Sequence, residues 1–97
     1  MSQKSLDNTI VGYLAGSIEE KGAYNEIQYG EINNMFVKEE NRGVGIGKFL
    51  INNFKDYCKS KNISHIKVVA SYKNKNAIEF YHKNGFEEFD ITLTTKL

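Results

Sequence analysis

The sequence predicts an α/β fold in which helices pack on a mixed, mostly antiparallel sheet, with elements in the order ββαβαββ. The spacing of apolar residues switches along the chain between the alternation of a strand and the three-to-four spacing of a helix. A strand–helix–strand unit in the middle requires parallel pairing, and the hairpin-like pairs that flank it require antiparallel pairing. With 97 residues, 40% of them hydrophobic and 26% charged, the chain has the material for one small domain with its own core, and it lacks the composition of a disordered segment.

Thr9 to Ile18 is rich in β-formers and follows the turn-like pair Asp7-Asn8, so it reads as the first strand. Glu19 to Asn25 is polar and carries Gly22, which suits a hairpin connection to a second strand from about Ile27 to Lys38. A polar loop runs from Lys38 to Gly43. After it, Ile46, Phe49, Leu50, Phe54, Tyr57 and Cys58 recur at helical spacing and predict a helix from about Val44 to Lys61. Lys59 and Lys61 complement the negative end of its dipole, and Asn62 can close its last turn. From Ser64 to Tyr72, Ile66, Val68, Ala70 and Tyr72 alternate with Lys67, Val69 and Ser71, which predicts a strand at or near the centre of the sheet. A second helix lies between Asn74-Lys75-Asn76 and Gly85, whose missing Cβ suits a left-handed exit. Phe86 to Phe89 and Ile91 to Leu97 read as two final strands, the last with Ile91, Leu93, Thr95 and Leu97 on one face.

Several function classes are set aside at this level. A net charge of +1 lacks the basic excess of a nucleic-acid binder. No apolar run approaches the ~20 residues of a membrane span, and the first residues lack the apolar stretch of a signal peptide, so a cytoplasmic location and no membrane partner are expected. Cys58 stands alone on the apolar stripe of the first helix, which suits a small core residue; no metal centre is expected, because no Cys or His lies near it at ligand spacing. His65 and His82 have no nucleophile arranged beside them and read as structural or solvated.

The chemistry concentrates in Arg42-Gly43-Val44-Gly45-Ile46-Gly47, between a strand and an amphipathic helix. Unpaired amides and the positive helix end at such a place attract phosphate oxygens, and glycines let the ligand approach the main chain. The dinucleotide fingerprint fails, because it needs a glycine at Lys48, and the nucleotide P-loop fails at Arg42 and Phe49. The remaining pattern, R-x-x-G-x-G, resembles that of the GNAT superfamily of N-acetyltransferases, which carries Gln or Arg and two small residues at the start of a helix. Asn76-Ala77-Ile78-Glu79-Phe80-Tyr81-His82-Lys83-Asn84-Gly85-Phe86 is similar to the family's N-A-x-x-F-Y-x-x-x-G-F segment, with matching spacing. The resemblance covers Thr9 to Leu97, the later part of a typical member, without the strand, two helices and strand that usually come first. A shortened member completed by a second subunit, or a fragment, is therefore expected, and an open sheet edge points to a homodimer.

The resemblance implies direct transfer of acetyl from acetyl-CoA to a primary amine of a small molecule or peptide, with coenzyme A as product. Arg42, Gly43, Val44, Gly45, Gly47 and Lys48 would surround the pyrophosphate, Phe36 and Val37 would pair through their main chain with the pantetheine arm, and Asn76 would hydrogen-bond to the arm or a phosphate. The amine must lose a proton and the thiolate is helped by gaining one, so a base and an acid are needed. Tyr81 matches the family's acid, which would contact the sulfur. Glu31, six residues ahead of Val37, matches the catalytic glutamate of the histone-type branch, with Glu26 as its competitor. A coenzyme-binding module without full activity is the alternative.

Overall fold

Nine-residue strands supply the backbone of the sheet. The computed structural model describes residues 2–4, 10–20 and 27–97, and within it β2 (Ile10–Ile18) and β3 (Tyr29–Val37) run antiparallel, from Gly12 opposite Val37 to Ile18 opposite Gly30. A short β1 (Ser2–Lys4) pairs antiparallel with β2, and β4 (His65–Val68) pairs parallel with β3, giving the order β1-β2-β3-β4. Helix α1 (Ile46–Ser60) makes the crossover that parallel strands require, and α2 (Lys75–Lys83) follows β4.

The ladder between β2 and β3 slips by one residue. Ala15 faces Asn34 while Gly16 faces Ile32, so Asn33 is the extra residue of a β-bulge. Strand side chains alternate between faces, and the bulge resets that alternation. Ile32 on one side of it, and Met35 and Val37 on the other, all turn toward α1. Without the extra residue the last two would point away from the core.

One stripe of α1, Leu50, Ile51, Phe54 and Cys58, is buried against Leu14, Ile32 and Ile63 and forms the core. Both helices end in the same way. Asn62 takes a left-handed φ of 61°, its N–H bonds to Lys59 O, and the N–H of buried Ile63 reaches back to Cys58 O at 2.9 Å. Gly85, at φ 91°, repeats this on α2, where the N–H of Phe86 bonds to Tyr81 O at 3.0 Å. The left-handed exit expected at Gly85 is thus present, Asn62 closes the last turn of α1 in the same conformation, and each exit is sealed by an apolar residue.

The mixed sheet with two helices agrees with the sequence, and the element order differs. The observed order is βββαβα. β1 was not foreseen, since Ser2-Gln3-Lys4 carries no apolar pattern and owes its conformation to pairing with β2. Residues 21–26 of the expected hairpin connection, like Glu26 and Thr9, lie outside the described residues. β4 stops at Val68 instead of Tyr72 because the chain turns out at Ser71, whose main-chain and side-chain oxygens accept from the N–H groups of Asn74 and Lys73. β4 is also an edge strand, not a central one, among the described residues. The two final strands are absent, because residues 86–97 join no ladder despite their alternation. An alternating segment becomes a strand only where an edge accepts it.

Candidate functional site at the glycine turn

Beyond Val37 the chain makes one 3-10 turn, Glu39–Asn41, and Arg42 continues it in extended conformation. The Arg42 Nε donates to Val37 O at 3.0 Å, fastening the loop to the end of β3. Gly43 and Gly45 then adopt φ values of 83° and 86°. A Cβ at either position would meet nothing within 4 Å, so the glycines are required by the backbone conformation and not by crowding. Any other residue there costs about 1–2 kcal/mol. Gly47 has a different reason: its Cβ would stand 2.7 Å from the Phe80 ring, so it allows α2 to close on the first turn of α1.

This turn leaves the start of α1 uncapped. Gly45 is the cap residue and supplies no side-chain acceptor, and the first bond at this end is from Phe49 N–H to Gly45 O at 2.9 Å. Among the described residues, the amides from Gly43 to Lys48 make no hydrogen bond to the chain. At α2 the corresponding end is closed, with Asn74 Oδ1 accepting from Ala77 N–H at 3.2 Å. Among the described residues, α1 therefore offers its positive end and the longer row of free donors to an outside anion. Arg42 and Lys48, both exposed, stand at the two ends of that row.

Next to the turn, the sheet opens. β3 and β4 pair only from Tyr29 with His65 to Ile32 with Val68. β3 continues to Val37 while the chain after Val68 leaves the sheet, so residues 33–37 of β3 have a free edge on that side among the described residues. Lys38 N–H reaches across to Val11 O on β2 at 2.7 Å. By alternation, the peptide groups of Val37 and Met35 face the open edge, and those of Phe36 face β2. Met35 and the N–H of Val37 thus stand where an added strand would pair, while the Val37 carbonyl already accepts from Arg42. Phe36 instead offers its ring, tilted by 35° against that of Tyr13 at 5.8 Å, on the sheet face away from α1. Met35 was missed in the sequence, although counting back two from Val37 would have found it.

Tyr81 is carried toward this end by the packing of Phe80 on Gly47. It is half-buried, with Phe80 and Phe86 rings edge-on at 5.5 and 5.4 Å, and its Oη makes no hydrogen bond among the described residues. Burial raises the phenol above its ordinary pKa. Asn76 is exposed in the first turn of α2, where Asn74 does the capping. Glu31 lies elsewhere. It alternates with Gly30 and Ile32, which face α1, so it points to the opposite face of the sheet, between Ser17 and Lys67 at the last register but one before the strands part. Lys67 is held there by Glu19 at 2.9 Å, with its ammonium 5.3 Å from the Tyr29 ring. The hydrogen bond to Glu19 raises Lys67 above the ordinary lysine value, with the charges of Glu19 and Glu31 adding to it. The Glu19–Lys67 pair was not foreseen, because nothing in sequence relates residues 48 positions apart.

The remaining candidates are ordinary. Cys58 is buried in the core, and that burial raises its thiol. His65 bonds to Ser64 Oγ and packs edge-on against Tyr29, and His82 pairs with Glu88 on the surface. No helix among the described residues is long and apolar enough to cross a membrane.

Known proteins are similar to this chain in sequence and in fold. The acetyltransferase (GNAT) family profile matches residues 3–86. An uncharacterized N-acetyltransferase of Methanocaldococcus jannaschii is 35% identical over 81 residues, covering 84% of this chain and 36% of that protein. The chain spans between 36% and 49% of the length of the curated relatives it matches. The structure of a tetramutant protein from Bacillus halodurans superposes with a TM-score of 0.90 at 21% identity, covering 99% of this chain and 64% of that one. AAC(6')-Iy, solved with the bisubstrate analogue CoA-S-monomethyl-acetylneamine, gives 0.81 at 19% identity over 96% of this chain and 65% of that one. With the family pattern running through most of its length and the same fold around its glycine turn, the chain belongs to the GNAT family of acetyltransferases.

Proposed function

We propose that this chain binds acetyl-CoA and serves transfer of the acetyl group to a primary amine of a small molecule or a peptide, with coenzyme A released as the thiol, acting as one domain that corresponds to the later part of longer family members. The observation that carries this reading is the uncapped start of α1, where the amides of residues 43–48 have no partner in the described chain. They fit a diphosphate: consecutive N–H donors, two left-handed glycines that expose them, and Arg42 and Lys48 as flanking charge. The edge at Met35 and Val37 fits an arm that carries amide groups, which can add to a sheet as a strand does. The solved complex of AAC(6')-Iy with a coenzyme A derivative supports the same choice of ligand.

Bound acetyl-CoA supplies the acetyl thioester. The chain's own contribution is to hold and to move protons. The amides of the turn fix the phosphate end, and the free edge of β3 aligns the arm. Tyr81, a phenol protonated at neutral pH, gives its Oη proton to the departing sulfur. Glu31, in register with Lys67 at the last pairing but one, takes the proton of the incoming ammonium through water. Asn76 adds a hydrogen bond from the start of α2.

The share of its relatives' length that the chain spans favours a second reading, a coenzyme-binding module without full activity. Calorimetric titration with acetyl-CoA, followed by turnover on a panel of amines, separates the two. Binding with turnover is expected; binding without turnover favours the module, and no binding removes both.

A further inference from the structure

The second half of α1, remote from the glycine turn, borders a concave surface that the site described above does not use. A groove of about 390 Å³ lies there between α1, the start of β4 and the exit of α2. That volume is in the range of small-molecule sites, which combine apolar walls with a few converging polar groups. The floor of the groove is apolar: Cys58 and Ile63 are buried, and Ile66 and Phe86 are half-buried against the core.

Its rim is basic. Lys55 and Lys59 stand one turn apart on α1, and Glu87 is the one acid of the lining, so positive charge is in excess. Among the described residues no carboxylate meets either lysine, since the ion pairs join Lys67 to Glu19, His82 to Glu88 and Lys83 to Glu79. Lys55 donates to the main-chain oxygen of Asn84 at 3.4 Å, with its ammonium 6.0 Å from the centre of the Phe86 ring. The Lys59 ammonium is exposed and makes no hydrogen bond among the described residues. Ser64 and His65 add polar groups on the β4 side, with Ser64 Oγ 2.7 Å from His65 Nδ1. Two ammonium groups above an apolar floor repel a cation, and a wholly apolar occupant would strip their water without replacing it. A carboxylate replaces that water with charge-assisted hydrogen bonds.

We propose that this groove binds a small organic acid, one carboxylate on an apolar body. The carboxylate lies between Lys55 and Lys59, and the body rests on Ile63, Ile66 and Phe86. Phe86 ties the groove to the rest of the molecule, because its N–H bonds to Tyr81 O at 3.0 Å and its ring stands edge-on to the Tyr81 ring at 5.4 Å. Lys55 in turn fastens α1 to the exit of α2. An occupant held by Lys55 and seated on Phe86 is therefore felt at Tyr81, although it does not reach the glycine turn. Nothing in this assignment depends on coenzyme binding or acetyl transfer.

Amide NMR titration of the full chain with phenylpropionate tests it, with phenylpropylamine and phenylpropanol as the matched amine and alcohol. Saturable shifts at Ile63, Ser64, Ile66 and Phe86 are expected with the acid alone, with Tyr81 moving through Phe86 and residues 43–48 staying in place. Lys59→Gln removes an ammonium that has no partner among the described residues, so the fold does not rest on it. That variant should bind the acid about tenfold or more weakly, the loss of one charge-assisted hydrogen bond. Lys59→Arg keeps the charge and should keep the binding. Equal shifts from the amine or the alcohol, wild-type affinity in Lys59→Gln, or no saturation by the acid at millimolar concentration overturns the proposal.

Discussion

Replacing Gly47 by alanine tests how the glycine turn and α2 are joined. The new methyl would lie 2.7 Å from Phe80 Cζ and 3.1 Å from its Cε1, closer than packed carbons approach. Two effects compete. Alanine in a helix is favoured over glycine by up to about 1 kcal/mol, less in a first turn. Against this, forcing an extra methyl into a packed contact costs about 1–3 kcal/mol. The ring cannot swing freely, since Phe80 is half-buried and packs against the core beside Tyr81 at 5.5 Å. Overpacking wins, and the net loss is about 1–2 kcal/mol, or a fall in Tm of about 4–16 °C for a domain of this size. Phe80→Leu alone opens space and also destabilises. In the double variant the methyl occupies part of that space, so the two losses should fall short of their sum by about 1 kcal/mol or more. Thermal and urea unfolding of wild type, both single variants and the double variant measures this coupling. Strict additivity, or a stabilising Gly47→Ala, would refute the contact and with it the means by which Tyr81 is carried toward the turn.

Other expectations follow from the same geometry. Gly45→Glu places a carboxylate and a strained left-handed residue in the anion site and should abolish coenzyme A binding by calorimetry; wild-type affinity counts against the site. Tyr81→Phe should lower turnover by about 10²-fold or more with acetyl-CoA affinity nearly unchanged, and unchanged turnover removes the acid role. The Glu19–Lys67 pair makes stability depend on pH in two places. The hydrogen bond to Lys67 holds Glu19 below the ordinary carboxylate value, so its contribution is present above that value and fades as pH falls through the lowered one. Lys67 is raised, so its share is present below the ordinary lysine value and is lost as pH rises through the raised one. The Tm difference between wild type and Glu19→Gln should therefore be greatest between about pH 5 and 10 and shrink on either side. A difference constant from pH 3 to 11 would show that the pair contributes no charge interaction.

Features decided by neighbours in sequence were readable from it. The α1 stripe of Leu50, Phe54 and Cys58, the left-handed exits at Asn62 and Gly85, and the uncapped turn at Arg42 to Gly47 each follow from spacing or residue type within a few positions. Features that depend on a distant partner were hidden. The bulge at Asn33 is a property of the register with β2, and it decides that Met35 and Val37, not Asn34 and Phe36, face the core. β1 exists because β2 offers an edge, while Ile91 to Leu97, with a clearer strand pattern, finds none. Alternation reports which face a strand would bury and carries no information about whether a partner edge is present. In the site, the family resemblance pointed to Tyr81 and Glu31 alike. Only the sheet's two faces reveal that the phenol is packed on the α1 side and the carboxylate stands on the other, beside Lys67.

The most direct measurement is an amide NMR titration of the labelled chain with coenzyme A. The N–H signals of residues 43–48 should shift most, with Met35 and Val37 next, and the same six amides should lose their rapid hydrogen exchange when the ligand saturates. If these signals stay in place while others move, or if none moves, the start of α1 does not hold the diphosphate.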